Sequence, residues 1–218
     1  MEKQLKIAVI LSGSGVFDGS EIHEATLSLY FIMKNNATYE IFAPDIPQHH
    51  VINHITGEEM QEGRNVLIES ARIARGNIKS LVEFDAADFD GMILPGGFGA
   101  AKNLSDFAFK SSDCNVNKDV ANAIRAMVEK EKPIGALCIS PVIIAKVLGD
   151  VKLTIGQDES TANAIVDMGA SHEKTSHGEI IVDEKYKIVT TPCYMLDANI
   201  MQIGEGADKV VKEVIRLA

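Results

Sequence analysis

Basic residues are scarce in this chain, and their scarcity limits the partners it can have. Its 218 residues include 21 lysines and arginines against 31 aspartates and glutamates, a formal net charge of −10. Nucleic acids and anionic membrane surfaces both attract basic faces, so we expect neither as a partner. No apolar run approaches the roughly 20 residues of a membrane-spanning helix.

Cysteines are also few, which excludes two further classes of protein. Cys114, Cys138 and Cys193 are widely spaced and form no C-x-x-C pair. This pattern predicts neither a disulfide framework nor a zinc site. His172 and His177 lack a partner in register, so we predict no metal and no cofactor.

The start of the chain leaves little room for a targeting segment. A strand-like apolar run, "LKIAVILS", already begins at residue 5. We therefore expect no signal or transit peptide and predict a cytoplasmic protein.

Apolar runs of strand length alternate with segments of helical spacing, which is typical of a buried parallel sheet. We predict one α/β domain over residues 1–218. The strands are 5–12, 39–44, 90–97, 132–138 and the runs "VKLTIG", "EIIVD" and "YKIVTTP"; the helices are 21–36, 64–76, 118–130, 140–149 and one or two at the end of the chain. Residues 45–62 lack periodicity and are interpreted as an inserted hairpin or loop.

The glycine-rich stretch "SGSGVFDGSEIHEA" (12–25) resembles a dinucleotide-binding loop but departs from it. Gly13, Gly15 and Gly19 run G-x-G-x-x-x-G, one residue too long for the fingerprint. The D-x-x-E spacing of Asp18 and Glu21 instead predicts a helix cap. Glu24 lies one turn further into the helix and is not needed for capping. It is therefore a candidate residue for a functional site.

A candidate partner for Glu24 is Cys138, in "IGALCISPVIIAK". It lies between a predicted strand and a helix, at the sheet edge where α/β folds bind ligands. Amides at a helix start favour a thiolate, so we expect a lowered pKa and a nucleophile. The glycines of "PGGFGAAKN" (95–103) can expose amides to an oxyanion.

The strings "LPGGFGAAKNLS", "LCISP" and "DGSEIHEA" resemble the PfpI-type, class I glutamine-amidotransferase-like superfamily. Within it they are most similar to the enhancing-lycopene-biosynthesis (ElbB) glyoxalase-like proteins, linked by that name to isoprenoid biosynthesis. The resemblance implies a flavodoxin-like three-layer sandwich, a mostly parallel sheet, a strained nucleophile elbow and a homodimer. It further implies that Cys138 is the nucleophile, that Glu24 tunes it, and that the Gly97 and Ile139 amides are oxyanion donors.

Many relatives follow the cysteine directly with histidine, but this chain has Ile139 there, which argues against peptidase or amidase activity. The resemblance implies a cofactor-free, glyoxalase III-like lyase that detoxifies a small carbonyl substrate such as methylglyoxal under stress. Glutathione would not be needed. Gly96 and His23 are further candidates for substrate contact.

Three alternatives remain open at this point. The first is a redox or stress sensor that oxidises Cys138. The second is a regulatory binding module on the same scaffold. A small amidase or hydrolase ranks behind both. We interpret Cys193 as a core residue and Cys114 as a thiol without a role.

Overall fold

The computed structural model describes residues 4–218, and residues 1–3 lie outside the described range. Strands and helices alternate through most of the chain. The strands are β1 (Lys6–Ile10), β2 (Thr38–Ala43), β3 (Lys79–Ser80), β4 (Gly91–Leu94), β5 (Ile134–Leu137), β6 (Lys152–Leu153), β7 (Ser171–His172), β8 (Ile181–Asp183) and β9 (Ile188–Thr191). The α-helices are α1 (Ile22–Lys34), α2 (Val66–Ile73), α3 (Phe98–Lys102), α4 (Phe107–Lys110), α5 (Lys118–Glu129), α6 (Pro141–Leu148), α7 (Glu159–Asp167) and α8 (Ile200–Leu217).

Seven strands form one central sheet in the order β3-β2-β1-β4-β5-β9-β8. Every neighbouring pair is parallel except β8 and β9. Strands β6 and β7 pair with each other in a separate two-stranded sheet. The mostly parallel sheet confirms the predicted flavodoxin-like α/β fold.

Helices cover both faces of the sheet and create two apolar layers. On one side the core includes side chains of α1, α2 and α8, and on the other it includes side chains of α5, α6 and α7. Strand β1 serves both layers, since Ile7 and Val9 face the first and Ala8 and Ile10 face the second. The central strands β1, β4 and β5 are therefore largely apolar, which is why their sequences show little alternation.

The carboxyl ends of β1, β4 and β5 meet at the same edge of the sheet, and the strand order reverses at β1. Ligands of open α/β sheets bind in the crevice outside such a reversal. The glycine-rich loop after β1, the Pro95–Gly97 turn after β4 and Cys138 after β5 all lie at this edge.

The segment 45–62 contains a short hairpin-like turn rather than a regular element. Ile52 and Glu59 form an isolated antiparallel bridge, and the Met60 amide donates to the Val51 carbonyl at 2.8 Å. Within residues 4–218, no helix is both long enough and apolar enough to cross a membrane.

Candidate active site

Cys138 occupies a sharp turn between β5 and α6. Its backbone has φ +60°, a left-handed conformation that residues other than glycine rarely adopt and that costs about 1–3 kcal/mol. Its amide donates to the Thr191 carbonyl at 3.0 Å, and the buried Ser140 hydroxyl donates to the Pro95 carbonyl at 2.7 Å. These bonds hold the strained turn, which matches the nucleophile elbow implied by the resemblance.

Glu24 lies in the first turn of α1 and is fully buried. Its carboxylate accepts hydrogen bonds from the Gly96 amide at 2.8 Å and the Tyr194 amide at 3.4 Å, and it is hydrogen-bonded to the Cys138 thiol. The structure therefore brings together the two side chains that the sequence analysis singled out, from positions 114 residues apart.

Burial raises the pKa of Glu24 from its ordinary 4.5 to about 8, and the nearby charge of Glu21 adds to the increase. The hydrogen bonds from the Gly96 and Tyr194 amides and from Cys138 oppose this increase without cancelling it. A carboxyl group with a pKa near neutrality can both accept and return a proton, as general acid–base catalysis requires.

The pKa of the Cys138 thiol is raised well above its ordinary value, which corrects the lowered pKa expected from the sequence. Burial is the main cause, followed by the charge of Glu24. The backbone amides of Gly97 and Ile139 donate to the sulfur and favour the thiolate, but they do not outweigh burial. Cys138 is therefore a thiol at rest and requires a base to become a nucleophile.

Glycines are required beside this pair because the chain passes very close to it. A Cβ atom on Gly96 would lie 2.4 Å from the Cys138 Cβ and 2.8 Å from Glu24 Oε2. Gly96 uses its amide to bind Glu24 and its carbonyl to accept from the Glu21 amide at 2.9 Å. These two hydrogen bonds position Glu24 and Glu21. Gly96 is not among the residues that line the neighbouring cavity.

A cavity of about 420 Å³ opens beside Cys138. Its polar lining comes from Gly97, Cys138, Asp158, Thr161 and Tyr194. Its apolar lining comes from Val16, Phe98, Ala101, Phe107, Ala108, Ile139 and Met195. A volume of roughly 300–1,000 Å³ with apolar walls and a few polar groups is typical of small-molecule sites.

His23 does not line this cavity but contacts a side chain that does. Its Nδ1 atom is hydrogen-bonded to the Tyr194 hydroxyl at 2.8 Å and lies 4.0 Å from Glu21 Oε1. Tyr194, rather than His23, lines the cavity. The sequence analysis missed Tyr194, whose contact with α1 spans about 170 residues and has no local signature.

The glycine-rich loop after β1 is stabilised by its own backbone. The Gly15 amide donates to the Ser20 carbonyl, the Gly19 amide to the Gly15 carbonyl, and the Gly13 amide to the Ser70 hydroxyl. These amides are therefore not free to bind a pyrophosphate. The Glu21 carboxylate accepts from the Glu24 amide at 2.8 Å, which confirms Glu21 as the helix cap.

Asp18 does not pair with Glu21 in a capping box, as its spacing had suggested. Its carboxylate accepts instead from the Ile52 amide at 2.7 Å and anchors the 45–62 segment to the loop after β1. The D-x-x-E spacing predicted the wrong partner because the Asp18 carboxylate binds the Ile52 amide, 34 residues away, instead.

The remaining cysteines and histidines lie outside the cavity lining. Cys114 and Cys193 are both buried and free. Cys193 is a core residue, as predicted, but it is close enough for the charges of Glu24 and Cys138 to raise its thiol pKa further. In the part of the chain that the structure describes, no three histidine, cysteine or acidic side chains are grouped so that they could hold a metal ion.

The fold and the Cys138–Glu24 pair define an amidotransferase-like class of protein, and the similarity to known proteins agrees with this. No protein-family model matches the chain. It is 46% identical over 222 residues to the rat "ES1 protein homolog, mitochondrial", covering 97% of this chain and 84% of the rat protein. It is also 46% identical to the human "Glutamine amidotransferase-like class 1 domain-containing protein 3, mitochondrial", covering 97% of this chain and 83% of the human protein.

Among solved structures, the isoprenoid biosynthesis protein with an amidotransferase-like domain from Ehrlichia chaffeensis superposes with a TM-score of 0.91. It shares 34% sequence identity, over 98% of this chain and 100% of that one. Glyoxalase III from Candida albicans has a TM-score of 0.61 at 15% identity, over 98% and 97% of the two chains, and this likeness shows the fold alone. The chain belongs to the class I glutamine amidotransferase-like family, in the group that includes the ES1 proteins.

The predicted cytoplasmic location is wrong by these comparisons. The rat and human relatives, and a zebrafish ES1 protein that is 36% identical over 97% of this chain and 85% of its own length, are all named as mitochondrial. The prediction failed because net charge, cysteine spacing and an early strand do not distinguish one compartment from another.

Proposed function

We propose that the protein is a glutathione-independent glyoxalase that converts a 2-oxoaldehyde into a 2-hydroxy acid. One observation carries the proposal: the Cys138 thiol is hydrogen-bonded to a buried Glu24 with a pKa of about 8, beside a cavity of about 420 Å³. A nucleophile that lines a small-molecule cavity, with an adjustable acid–base group bonded directly to it, suits proton transfer next to a carbonyl.

The first step is addition of the thiol to the aldehyde carbon. Ionised Glu24 accepts the thiol proton as the new carbon–sulfur bond forms, and the proton then passes to the former aldehyde oxygen. The product is a hemithioacetal on Cys138, with Glu24 ionised again. The raised thiol pKa makes this coupling necessary, because Cys138 does not ionise by itself near neutral pH.

The second step moves a proton between adjacent carbons. Glu24 removes the proton from the carbon bonded to sulfur, which gives an enediolate, and then returns this proton to the neighbouring carbon. The hydroxyl proton on the first carbon passes to the oxygen on the second, which leaves a thioester of the 2-hydroxy acid. One carbon is oxidised and its neighbour reduced, so no external oxidant or reductant is required.

Water then cleaves the thioester, releases the 2-hydroxy acid and restores the thiol. The Gly97 and Ile139 amides donate to the sulfur at rest. The oxygen that carries negative charge in these steps is two bonds from that sulfur, through the carbon that the sulfur attacks. Charge that moves from sulfur to this oxygen stays within reach of the same donors.

Two other readings of the site fit the geometry less well. An oxidant sensor is favoured by an exposed thiolate with a low pKa, whereas Cys138 is 7% exposed and its pKa is raised. An amidase of the cysteine–histidine type uses a histidine to protonate the leaving amine, and no histidine is among the described residues that line the cavity.

The test measures lactate formed from methylglyoxal in the absence of glutathione. We expect turnover by the wild type, loss of at least about 100-fold in Cys138→Ser, and wild-type turnover in Cys114→Ser. Cys114 is a matched control because it is also buried but does not line the cavity. Equal background rates in all three proteins would rule out the glyoxalase.

A further inference from the structure

The cavity beside Cys138 is much larger than methylglyoxal requires. The single methyl substituent of that aldehyde would fill only a small part of about 420 Å³ once its carbonyls reach the sulfur. Cavities of roughly 300–1,000 Å³ enclose ligands of drug size. A small aldehyde would therefore leave most of the apolar wall in contact with water.

Most of the residues that line the cavity are apolar, and some are aromatic. Phe98 follows the Gly97 oxyanion donor directly, and Phe107 and Ala108 begin the short helix α4. Met195 lines the cavity next to Tyr194 in a 3-10 turn. A substituent that covers these side chains gains binding free energy in proportion to the apolar surface that it removes from water.

The charge that Asp158 brings to the lining of the cavity is negative. Asp158 caps α7, where its carboxylate accepts from the Thr161 amide at 2.7 Å, and its side chain is exposed. Among the described residues, no lysine or arginine lines this cavity. Lys102 lines a neighbouring cavity of about 220 Å³, and its ammonium group donates to the Phe17 carbonyl at 3.0 Å.

We propose that this site selects 2-oxoaldehydes with a bulky, uncharged, apolar substituent, such as an aryl group, over methylglyoxal and over aldehydes that carry a carboxylate. The inference rests on the proposed glyoxalase function and specifies its substrate class. Shape and apolar contact at Phe98, Phe107 and Ala108 provide the preference for size. Asp158 repels an anionic tail.

The experiment compares kcat/KM for methylglyoxal, phenylglyoxal and 4-carboxyphenylglyoxal. We expect the wild type to prefer phenylglyoxal over methylglyoxal by about tenfold or more. Ala108→Phe fills the cavity from an exposed helix position, and we expect it to lower kcat/KM for phenylglyoxal about tenfold more than kcat/KM for methylglyoxal. The ratio between wild type and variant cancels the intrinsic reactivity of each aldehyde.

Two further variants complete the design. Ala87→Phe adds the same side chain at an exposed alanine away from the cavity, and we expect it to keep the wild-type preference. Asp158→Asn keeps a residue that caps helices well but removes the charge. We expect it to raise kcat/KM for the carboxylated aldehyde about threefold relative to phenylglyoxal.

The outcomes separate this inference from the function on which it rests. Cys138-dependent turnover of methylglyoxal without any preference for phenylglyoxal would overturn the inference and leave the glyoxalase intact. A preference that survives in Ala108→Phe, or equal rates for the neutral and carboxylated aryl aldehydes, would also overturn it. Failure to convert any of the three aldehydes would overturn both.

Discussion

Replacing Glu24 with glutamine should change how the stability of the protein depends on pH. The native carboxyl has a pKa of about 8, against an ordinary 4.5, because it is fully buried. The native state therefore binds more protons than the unfolded state between these two pH values. Its free energy of unfolding must fall as the pH rises through that window.

The size of the effect follows from the same difference in pKa. At about 1.36 kcal/mol per pH unit, the change from 4.5 to about 8 corresponds to at most about 5 kcal/mol. The stabilisation is complete below about pH 4.5 and is lost above about pH 8. Water in the cavity beside Cys138 partly solvates ionised Glu24 and reduces the loss, so we expect a few kcal/mol.

The assay is urea unfolding followed by circular dichroism at about pH 5 and about pH 9. Glu24→Gln cannot ionise, so its free energy of unfolding should change less between the two pH values, by about 2–5 kcal/mol. Repeating the pair in a Cys138→Ser background removes titration of the thiol. Parallel pH dependences in the glutamate and glutamine proteins would refute the argument that burial raises this pKa.

Three other predictions concern the same site. The kcat/KM for a 2-oxoaldehyde should rise with pH and level off above about pH 8, because ionised Glu24 is the active form. A flat pH–rate profile between about pH 6 and 9 would contradict this role of Glu24. Gly96→Ala should lose about 1–3 kcal/mol of stability and most turnover because its Cβ meets Cys138 and Glu24. Gly63→Ala, where a Cβ meets open space, should leave the Tm and kcat/KM unchanged; equal effects of the two substitutions would contradict the close approach. Tyr194→Phe should leave the midpoint of the pH–rate profile unchanged, because the backbone amide of Tyr194, and not its hydroxyl, binds Glu24. A shifted midpoint would show instead that the hydroxyl affects the pKa of the Glu24 carboxyl.

The central layer of the fold could be predicted because its strands are buried on both faces. Continuous apolar runs located β1, β4 and β5 to within a few residues, and the amphipathic α5 was placed almost to its ends. In these elements burial and local propensity favour the same structure.

Elements at the periphery were missed or misjudged. The predicted strand "VKLTIG" is only the two-residue β6, which pairs with β7 outside the main sheet. The two-residue β3 and the helix α7 were not predicted. Short edge elements depend on a partner elsewhere in the chain, which their own residues do not specify.

At the site, position was easier to predict than electrostatics. Cys138 and Glu24 were found because one follows a buried strand and the other lies one turn inside a helix that Glu21 already caps. The direction of the Cys138 pKa was wrong because the helix-start argument considers nearby amides and omits burial. Tyr194 was missed because only the folded chain brings it to Glu24.

The most direct test of the mechanism measures lactate when Glu24 cannot move a proton. Wild type, Glu24→Gln and Cys138→Ser are mixed with methylglyoxal in the absence of glutathione, and lactate is measured over time at about pH 8. We predict that Glu24→Gln forms lactate at the background rate of Cys138→Ser, because a glutamine side chain can neither accept the thiol proton nor move a proton between the two carbons. Lactate formation by Glu24→Gln at the wild-type rate would contradict this mechanism.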